Sequence, residues 1–338
     1  MSSGIDSRPA NKLNCFYMKL LITGGAGFLG QRLAHRLLAG HAEPLEVVLA
    51  DRVTTDAFGT DSRVKSVACD IAERTAVEAL VTPDTDVIYH LAAVVSSQAE
   101  AEFDLGMRIN LEATRGLLET CRRLSSPPKF IFASSVAVFG GELPAIVTEQ
   151  TAVHPQSSYG AQKAMGELLV NEFSRRGFVD GRVLRLPTIS VRPGKPNRAA
   201  SSFVSGIIRE PLNGESVICP VGREITLWLS SPSTAVENLW HAHAIPAEKM
   251  VSHRTINLPG ISITVGEMIA ALEKVAGPAA VARIRFEPDA AVARIVTSWP
   301  GRFDTARARA LGFHGDRDFE AIIRAYLRET SNTQAVPA

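Results

Sequence analysis

Cysteine is scarce in this chain. Cys15, Cys69, Cys121 and Cys219 are the only four in 338 residues, and no two of them form a CxxC pair. That spacing argues against a disulfide framework and a thiolate metal site, and it fits a reducing compartment such as the cytoplasm. An excess of charge of one sign is also lacking. The formal net charge is +1 with 21% charged residues, which excludes a broad field for recruiting nucleic acid or an anionic membrane. No apolar run approaches the roughly 18 residues that a membrane-spanning helix needs. Residues 1–17 carry Ser, Asn, Asp and Pro without the apolar stretch of a signal peptide. They are expected to be a flexible extension, with Met18 a candidate natural start. No repeat or low-complexity tract is present, and the length suffices for one large or two modest domains.

What is present is concentrated first at Lys19–Leu38. The apolar run Leu20-Leu21-Ile22 leads into Gly24, Gly27 and Gly30, after which leucines recur at helical spacing. Gly24 permits a tight turn, Gly27 lets backbone approach a pyrophosphate, and Gly30 lets the new helix press on the strand. The helix start offers free N–H groups and a positive dipole end to an anion. The pattern points to dinucleotide binding.

Strand and helix signals then alternate: strands at Leu45–Ala50, Val64–Ala68, Asp86–His90, Lys129–Ala133 and Arg182–Leu186, helices at Ala72–Val81, Glu100–Leu124 and Ser157–Arg176. Such alternation predicts an α/β fold, a doubly wound parallel sheet of Rossmann type over residues 18–195. After Pro193-Gly194-Lys195-Pro196 the alternation fades. Helices are expected at Ser201–Arg209, Ser233–Ala242, Val265–Val275, Thr305–Leu311 and Phe319–Arg328, with short strands at Arg254–Leu258 and Ala282–Phe286. Residues 196–330 thus read mainly as a smaller C-terminal α/β lobe over the mouth of the sheet, and 331–338 as a frayed tail. Ligands of open parallel sheets bind outside the strand carboxyl ends, so the cleft between lobes is the expected site.

Asp51 ends the second strand 21 positions beyond Gly30. A carboxylate there can accept hydrogen bonds from an adenosine ribose and repel a 2′-phosphate, although Arg52 beside it softens that preference. Asp70 and Ile71 are placed to flank the adenine, and Leu91-Ala92-Ala93 supplies small residues where backbone passes the cofactor. Tyr159 and Lys163 stand at i and i+4 on one helix face. A cation there is expected to pull the phenol pKa down from about 10, making it a proton acceptor. Phe130-Ile131-Phe132-Ala133-Ser134-Ser135 ends a buried strand in hydroxyls, with Ser135 positioned 24 residues before Tyr159. Ser157-Ser158 resembles an N-terminal cap.

Together, TGGAGFLG, SSVAVFG, YGAQK and RPG resemble the extended short-chain dehydrogenase/reductase superfamily, which includes the NAD-dependent epimerases and dehydratases. The resemblance implies that NAD is held by Gly24, Gly27, Phe28, Leu29, Gly30, Asp51, Asp70, Ile71, Leu91, Ala92, Ala93, Tyr159, Lys163 and Pro187. It implies Tyr159 as general base or acid, Lys163 lowering its pKa and holding the nicotinamide ribose, and Ser135 aligning the reacting hydroxyl. Asn110 would sit in the helix behind the site, and Asp304-Thr305-Ala306-Arg307 would pack as the C-terminal helix of the family. A homodimer through the helices near 100–124 and 157–176 is a further expectation.

Two departures bear on the substrate. Sugar-nucleotide enzymes of the superfamily carry Asn shortly after the sixth strand, where this chain has Leu186-Pro187-Thr188. They also carry a diphosphate-binding arginine where this chain has Leu227-Trp228-Leu229-Ser230-Ser231, a poor partner for phosphates. The runs RLPTISVRPGKPN, SSFVSGIIREPLNGE, LWLSSPSTAVENL and NLPGISITVGEMI resemble instead the D-erythronate dehydrogenase branch. That resemblance implies oxidation of the C2 hydroxyl of a small sugar acid, with a sugar-nucleotide epimerase or dehydratase that keeps its NAD as the alternative. A sugar acid needs donors for its carboxylate. Ser96, Ser135, Tyr159, Thr188, Arg192 and Arg209 are the candidates, with Ser97, Ser202 and Arg223 as further donors. His241 and His243 lack companions at ligand spacing, so they are expected at the surface and no metal is expected. Trp228 and Trp299 are expected in the core or cleft wall.

Overall fold

The computed structural model describes residues 17–40, 44–194, 199–250 and 253–334. The extension expected over 1–17 therefore lies outside the described residues except for Tyr17, as does the expected domain boundary at 195–196.

Buried, nearly continuous apolar strands need helices on both faces, and the first half of the chain supplies most of them. The elements run β1 (Met18–Thr23), α1 (Phe28–Gly40), β2 (Leu45–Asp51), β3 (Val64–Ala68), α2 (Arg74–Leu80), β4 (Val87–His90), α3 (Ser96–Ala101) and α4 (Phe103–Gly106). A π-helical turn (Met107–Glu112), α5 (Ala113–Cys121), β5 (Lys129–Ser135), a 3₁₀ turn (Val136–Val138), α6 (Ser158–Arg175) and β6 (Asp180–Leu186) follow. Alternate side chains along each strand serve opposite layers. Leu21, Val48, Ile88, Phe130 and Phe132 meet Leu117 and Leu118 of α5 and Val170 and Phe173 of α6. Leu20, Ile22, Val47 and Leu49 meet Leu33 and Leu37 of α1.

The remaining elements are β7 (Thr188–Ile189), α7 (Ser202–Leu212), β8 (Val217–Cys219), β9 (Thr226–Ser230), α8 (Pro232–Ala244), a second 3₁₀ turn (Ala247–Lys249), β10 (Thr255–Asn257), β11 (Ile261–Thr264), α9 (Val265–Ala276), α10 (Pro278–Val281), β12 (Ile284–Phe286), α11 (Ala290–Val296), α12 (Ala306–Ala310) and α13 (Phe319–Gln334). The main sheet has seven parallel strands in the order β3-β2-β1-β4-β5-β6-β10. A three-stranded sheet β11-β9-β7 and a two-stranded sheet β12-β8 belong to the C-terminal half. They enclose a second core around Val204, Ile207, Leu229, Met268, Leu272 and Ile323.

Several expectations are corrected. The segment Arg254–Leu258, assigned to the smaller lobe, adds β10 to the main sheet beside β6. Helix α8 packs Val236 and Leu239 into the same core as α1, so the C-terminal half completes one layer of the first. The helix expected over Glu100–Leu124 begins at Ser96, breaks at Glu102, whose backbone leaves the helical region, and passes through the π turn. Helix α13 continues to Gln334, beyond the expected end at Arg328, with Thr330 Oγ1 donating back to the Tyr326 carbonyl at 3.0 Å. His243 is buried rather than superficial. Its Nδ1 lies 2.8 Å from the Tyr89 hydroxyl, while His241 Nε2 meets the Leu311 carbonyl at 2.8 Å.

Candidate active site

A cleft of about 510 Å3 lies along the carboxyl ends of the central strands, lined also by Pro187, Thr188, Arg192, Ala199, Ser201 and Trp299. At one end β1 gives way to Gly24 at φ +73°, and Gly27 N donates to the Gly24 carbonyl at 3.1 Å before α1 begins. A Cβ on Gly24 would stand 2.8 Å from Ala92 N, and one on Gly30 would overlap the Gly24 carbonyl oxygen. Gly25 is equally constrained, 2.7 Å from Leu49 Cα on the same reckoning, and its need was not read from the spacing of the other three. This side-chain-free cradle at a helix start fits a dinucleotide pyrophosphate.

Gly24, Gly27, Phe28, Leu29, Gly30, Asp51, Asp70, Ile71, Leu91, Ala92, Ala93, Tyr159, Lys163 and Pro187 all line this cleft. Asp51 is fixed by two backbone amides, accepting from Ala26 N at 3.2 Å and Arg52 N at 2.7 Å. Asp70 accepts from Ala72 N at 3.0 Å and lies 3.9 Å from Arg108. Arg108 and Gln98 also line the cleft. No motif signals them; the irregular helix over 96–112 brings them there.

At the other end Ser157 Oγ caps α6 by accepting from Gly160 N at 3.2 Å. Gly160 has no room for a Cβ against the Ala137 carbonyl, so α6 lies directly on the turn after β5. Ser135 Oγ accepts from Ala137 N at 3.1 Å and stands beside the Tyr159 phenol, whose ionised form it favours. Lys163 is 1% exposed. Its Nζ donates to the Ala133 carbonyl at 2.8 Å, 4.7 Å from the Phe132 ring centroid and 5.8 Å from that of Tyr159.

The electrostatics correct one expectation. Burial pushes the Tyr159 phenol up to about 12, against downward pulls from Ser135 and the Arg192 charge. Burial also brings Lys163 down to about 8, with Glu167 opposing. In this arrangement the Lys163 ammonium is directed at a backbone carbonyl, and the desolvated phenol keeps its proton.

A buried network underlies the corner where Ser135 and Tyr159 meet. Glu167 accepts from Ser134 Oγ, and Arg185 Nη2 reaches it at 2.7 Å. Arg185 also meets Asn257 of β10 at 3.3 Å. Asn110, in the π turn, accepts from Val94 N at 2.8 Å and donates to Val94 O at 3.0 Å and Gln162 Oε1 at 2.8 Å. The extra residue of a π turn is what aims this amide inward.

Of the substrate candidates, Ser96, Ser135, Tyr159, Thr188 and Arg192 line the cleft. Ser96 Oγ is already engaged, accepting from Ala200 N at 3.0 Å. Arg209 is not among the lining residues. Its guanidinium is buried and bonded to the Arg192 carbonyl at 2.7 Å and Glu210 at 2.6 Å. Arg223 is also elsewhere, over the Phe286 ring. Ser97 and Ser202 do not line the cleft. Arg192 is half-buried, and burial together with Arg209 lowers its pKa while Tyr159 opposes. Trp299 forms cleft wall with a buried Nε1 that has no partner among the described residues, whereas Trp228 is core and donates to the Leu258 carbonyl at 3.1 Å. No cluster of potential metal ligands exists among the described residues.

Fold and site define an oxidoreductase of Rossmann type that uses a nicotinamide dinucleotide. The sequence pattern of the NAD dependent epimerase/dehydratase family matches residues 20–233, and the chain belongs to that family. It is 52% identical over 92% of its length to D-erythronate dehydrogenase of Cupriavidus necator, covering 98% of that protein. It is 51% identical over 92% of its length to D-erythronate dehydrogenase of Haemophilus influenzae, covering 99%. The solved structure described as a nucleoside-diphosphate-sugar epimerase from Agrobacterium tumefaciens superposes with a TM-score of 0.89 at 42% identity, covering 98% of both chains.

Proposed function

We propose that this protein oxidises the C2 hydroxyl of D-erythronate to 2-oxo-tetronate with NAD, using Ser135, Tyr159 and Lys163. The observation that carries the reading is Arg192, a half-buried cation within electrostatic reach of Tyr159 at the end of the cleft away from Asp51 and Asp70. Those two aspartates are the only carboxylates lining the cleft among the described residues. A small hydroxy acid finds its counter-ion there. Among the described residues, an amino acid finds no carboxylate for its ammonium group at this end, and a nucleotide sugar finds one arginine there where two phosphates need several donors. The similarity to D-erythronate dehydrogenases across nearly the whole chain supports the same substrate.

The Gly24–Gly30 cradle would hold the pyrophosphate, Asp51 the adenosine ribose, Asp70 and Ile71 the adenine, and Lys163 the nicotinamide ribose. When bound, NAD supplies the hydride acceptor. Tyr159, once ionised to the phenolate, takes the proton from the C2 hydroxyl, Ser135 donates to the oxygen as it becomes a carbonyl, and Lys163 stabilises the phenolate. Arg192 pairs with the carboxylate and so fixes which carbon faces the nicotinamide, the positioning on which rate depends.

NADH absorbance measured over four- to six-carbon aldonates, L-threonine and UDP-sugars tests this. NADH is expected to accumulate with D-erythronate and not with L-threonine. Conversion of a UDP-sugar without net NADH overturns it in favour of an epimerase.

We also place the enzyme in the cytoplasm as a homodimer. Cys69, Cys121 and Cys219 are free and buried, and no helix among the described residues is long and apolar enough to cross a membrane. Met165 and Leu168 of α6 are 36% and 69% exposed, and Phe103 of the neighbouring α4 is 57% exposed, an apolar strip that a second copy would cover. Light scattering is expected to give twice the chain mass for the wild type and the single mass for Leu168→Arg; a monomeric wild type overturns the dimer.

A further inference from the structure

We propose that α7 is the positioning element for Arg192, with Ser205 and Arg209 setting where its guanidinium stands and so governing substrate affinity. This rests on the reading of Arg192 as the carboxylate partner. Among the described residues the segment leaving β7 has no regular strand pairing beyond Ser190, yet α7 grips it three times. Ser190 Oγ donates to the Val204 carbonyl at 3.1 Å, Arg192 N donates to Ser205 Oγ at 3.0 Å, and Arg209 Nη1 donates to the Arg192 carbonyl at 2.7 Å. Both main-chain polar groups of Arg192 are thus held by side chains of one helix. Ser205 is 1% and Arg209 5% exposed, so neither group is available to solvent or substrate.

The choice of arginine at 209 is informative. Burying a second cation near Arg192 raises the cost of charging both. Glu210 pairs with Arg209 at 2.6 Å, and its other oxygen is buried without a partner among the described residues. The three groups sum to one positive charge beneath the cleft. That arrangement is poor for stability alone and favourable once an anion reaches Arg192, which makes the end of the cleft selective for acids over neutral polyols.

The test compares Arg209→Met, Arg209→Lys, Ser205→Ala, Arg192→Met and the double variant Arg192→Met/Arg209→Met. Two readouts are used: kcat and KM for D-erythronate, and D-erythronate affinity of the NADH-loaded enzyme by calorimetry. Arg209→Met is expected to raise KM and weaken binding about 10-fold with kcat nearly unchanged, since it misplaces one charged contact. Arg209→Lys, which can still donate to the carbonyl, is expected to recover part of the loss. Added to Arg192→Met, the Arg209 change is expected to have no further effect, because it acts through Arg192. Should Arg209→Met not fold, Ser205→Ala and Arg209→Lys carry the same comparison. Unchanged KM and affinity in the α7 variants, beside a large loss in Arg192→Met, overturns the positioning role alone. An equal loss in both backgrounds also overturns it. Unchanged KM in Arg192→Met overturns the carboxylate reading and this inference with it.

Discussion

Tyr159→Phe is expected to lower kcat about 10³-fold while leaving NADH binding intact, because it removes one oxygen from the cleft wall and no packing volume. The ring sits against the core at the start of α6, so phenylalanine occupies the same place. Oxidation of an alcohol releases a proton, and on the proposed mechanism the Tyr159 phenolate accepts it. Burial pushes that phenol up to about 12 and Lys163 down to about 8, so the rate of oxidation is expected to rise with pH while the ammonium remains charged. The two groups share a site and titrate as a pair. Lys163→Met removes the charge to which the proposed mechanism assigns stabilisation of the phenolate, so the rising limb is expected to move to higher pH. A Tyr159→Phe protein that still turns over near the wild-type rate removes the mechanism, and an unmoved limb in Lys163→Met removes the role given to lysine.

Arg192→Met is expected to raise KM for D-erythronate about 100-fold, close to 3 kcal/mol at 1.4 kcal/mol per decade, with a smaller fall in kcat. The size follows from partial burial: a carboxylate brought to this end of the cleft gives up water and gains this cation in exchange. Methionine keeps the length of the side chain and removes the charge. Arg192→Lys keeps the charge and loses the planar fork, so a loss nearer 10-fold is expected. Steady-state kinetics at fixed saturating NAD measures both. If the two substitutions leave KM at the wild-type value, the carboxylate is bound elsewhere.

The parts of this protein legible in its residues are those where function sits within one local element. The strand–turn–helix at 18–40 is of this kind, because φ +73° at Gly24 and the contact at Gly30 are demands on single positions. So is the pairing of Tyr159 with Lys163, since a helix places i and i+4 together whatever surrounds it. The relation between those groups was not legible. Whether the ammonium meets the phenol or the Ala133 carbonyl depends on how β5 lies under α6.

Arg192 and Arg209 mark the same limit more sharply. Both are arginines near an apolar helix, equally suited on paper to a carboxylate. Only the packing of α7 against the second core turns Arg209 inward to hold the Arg192 main chain. The irregular helix that aims Asn110 and the addition of β10 to the main sheet are likewise outcomes of long-range contact. The sequence by itself determined the Rossmann fold, the dinucleotide cradle and the Ser135, Tyr159 and Lys163 set, because periodicity and backbone conformation are properties of neighbouring residues. The tertiary structure alone decided which cation lines the cleft and which charges are buried beneath it, because desolvation depends on atoms distant in the chain.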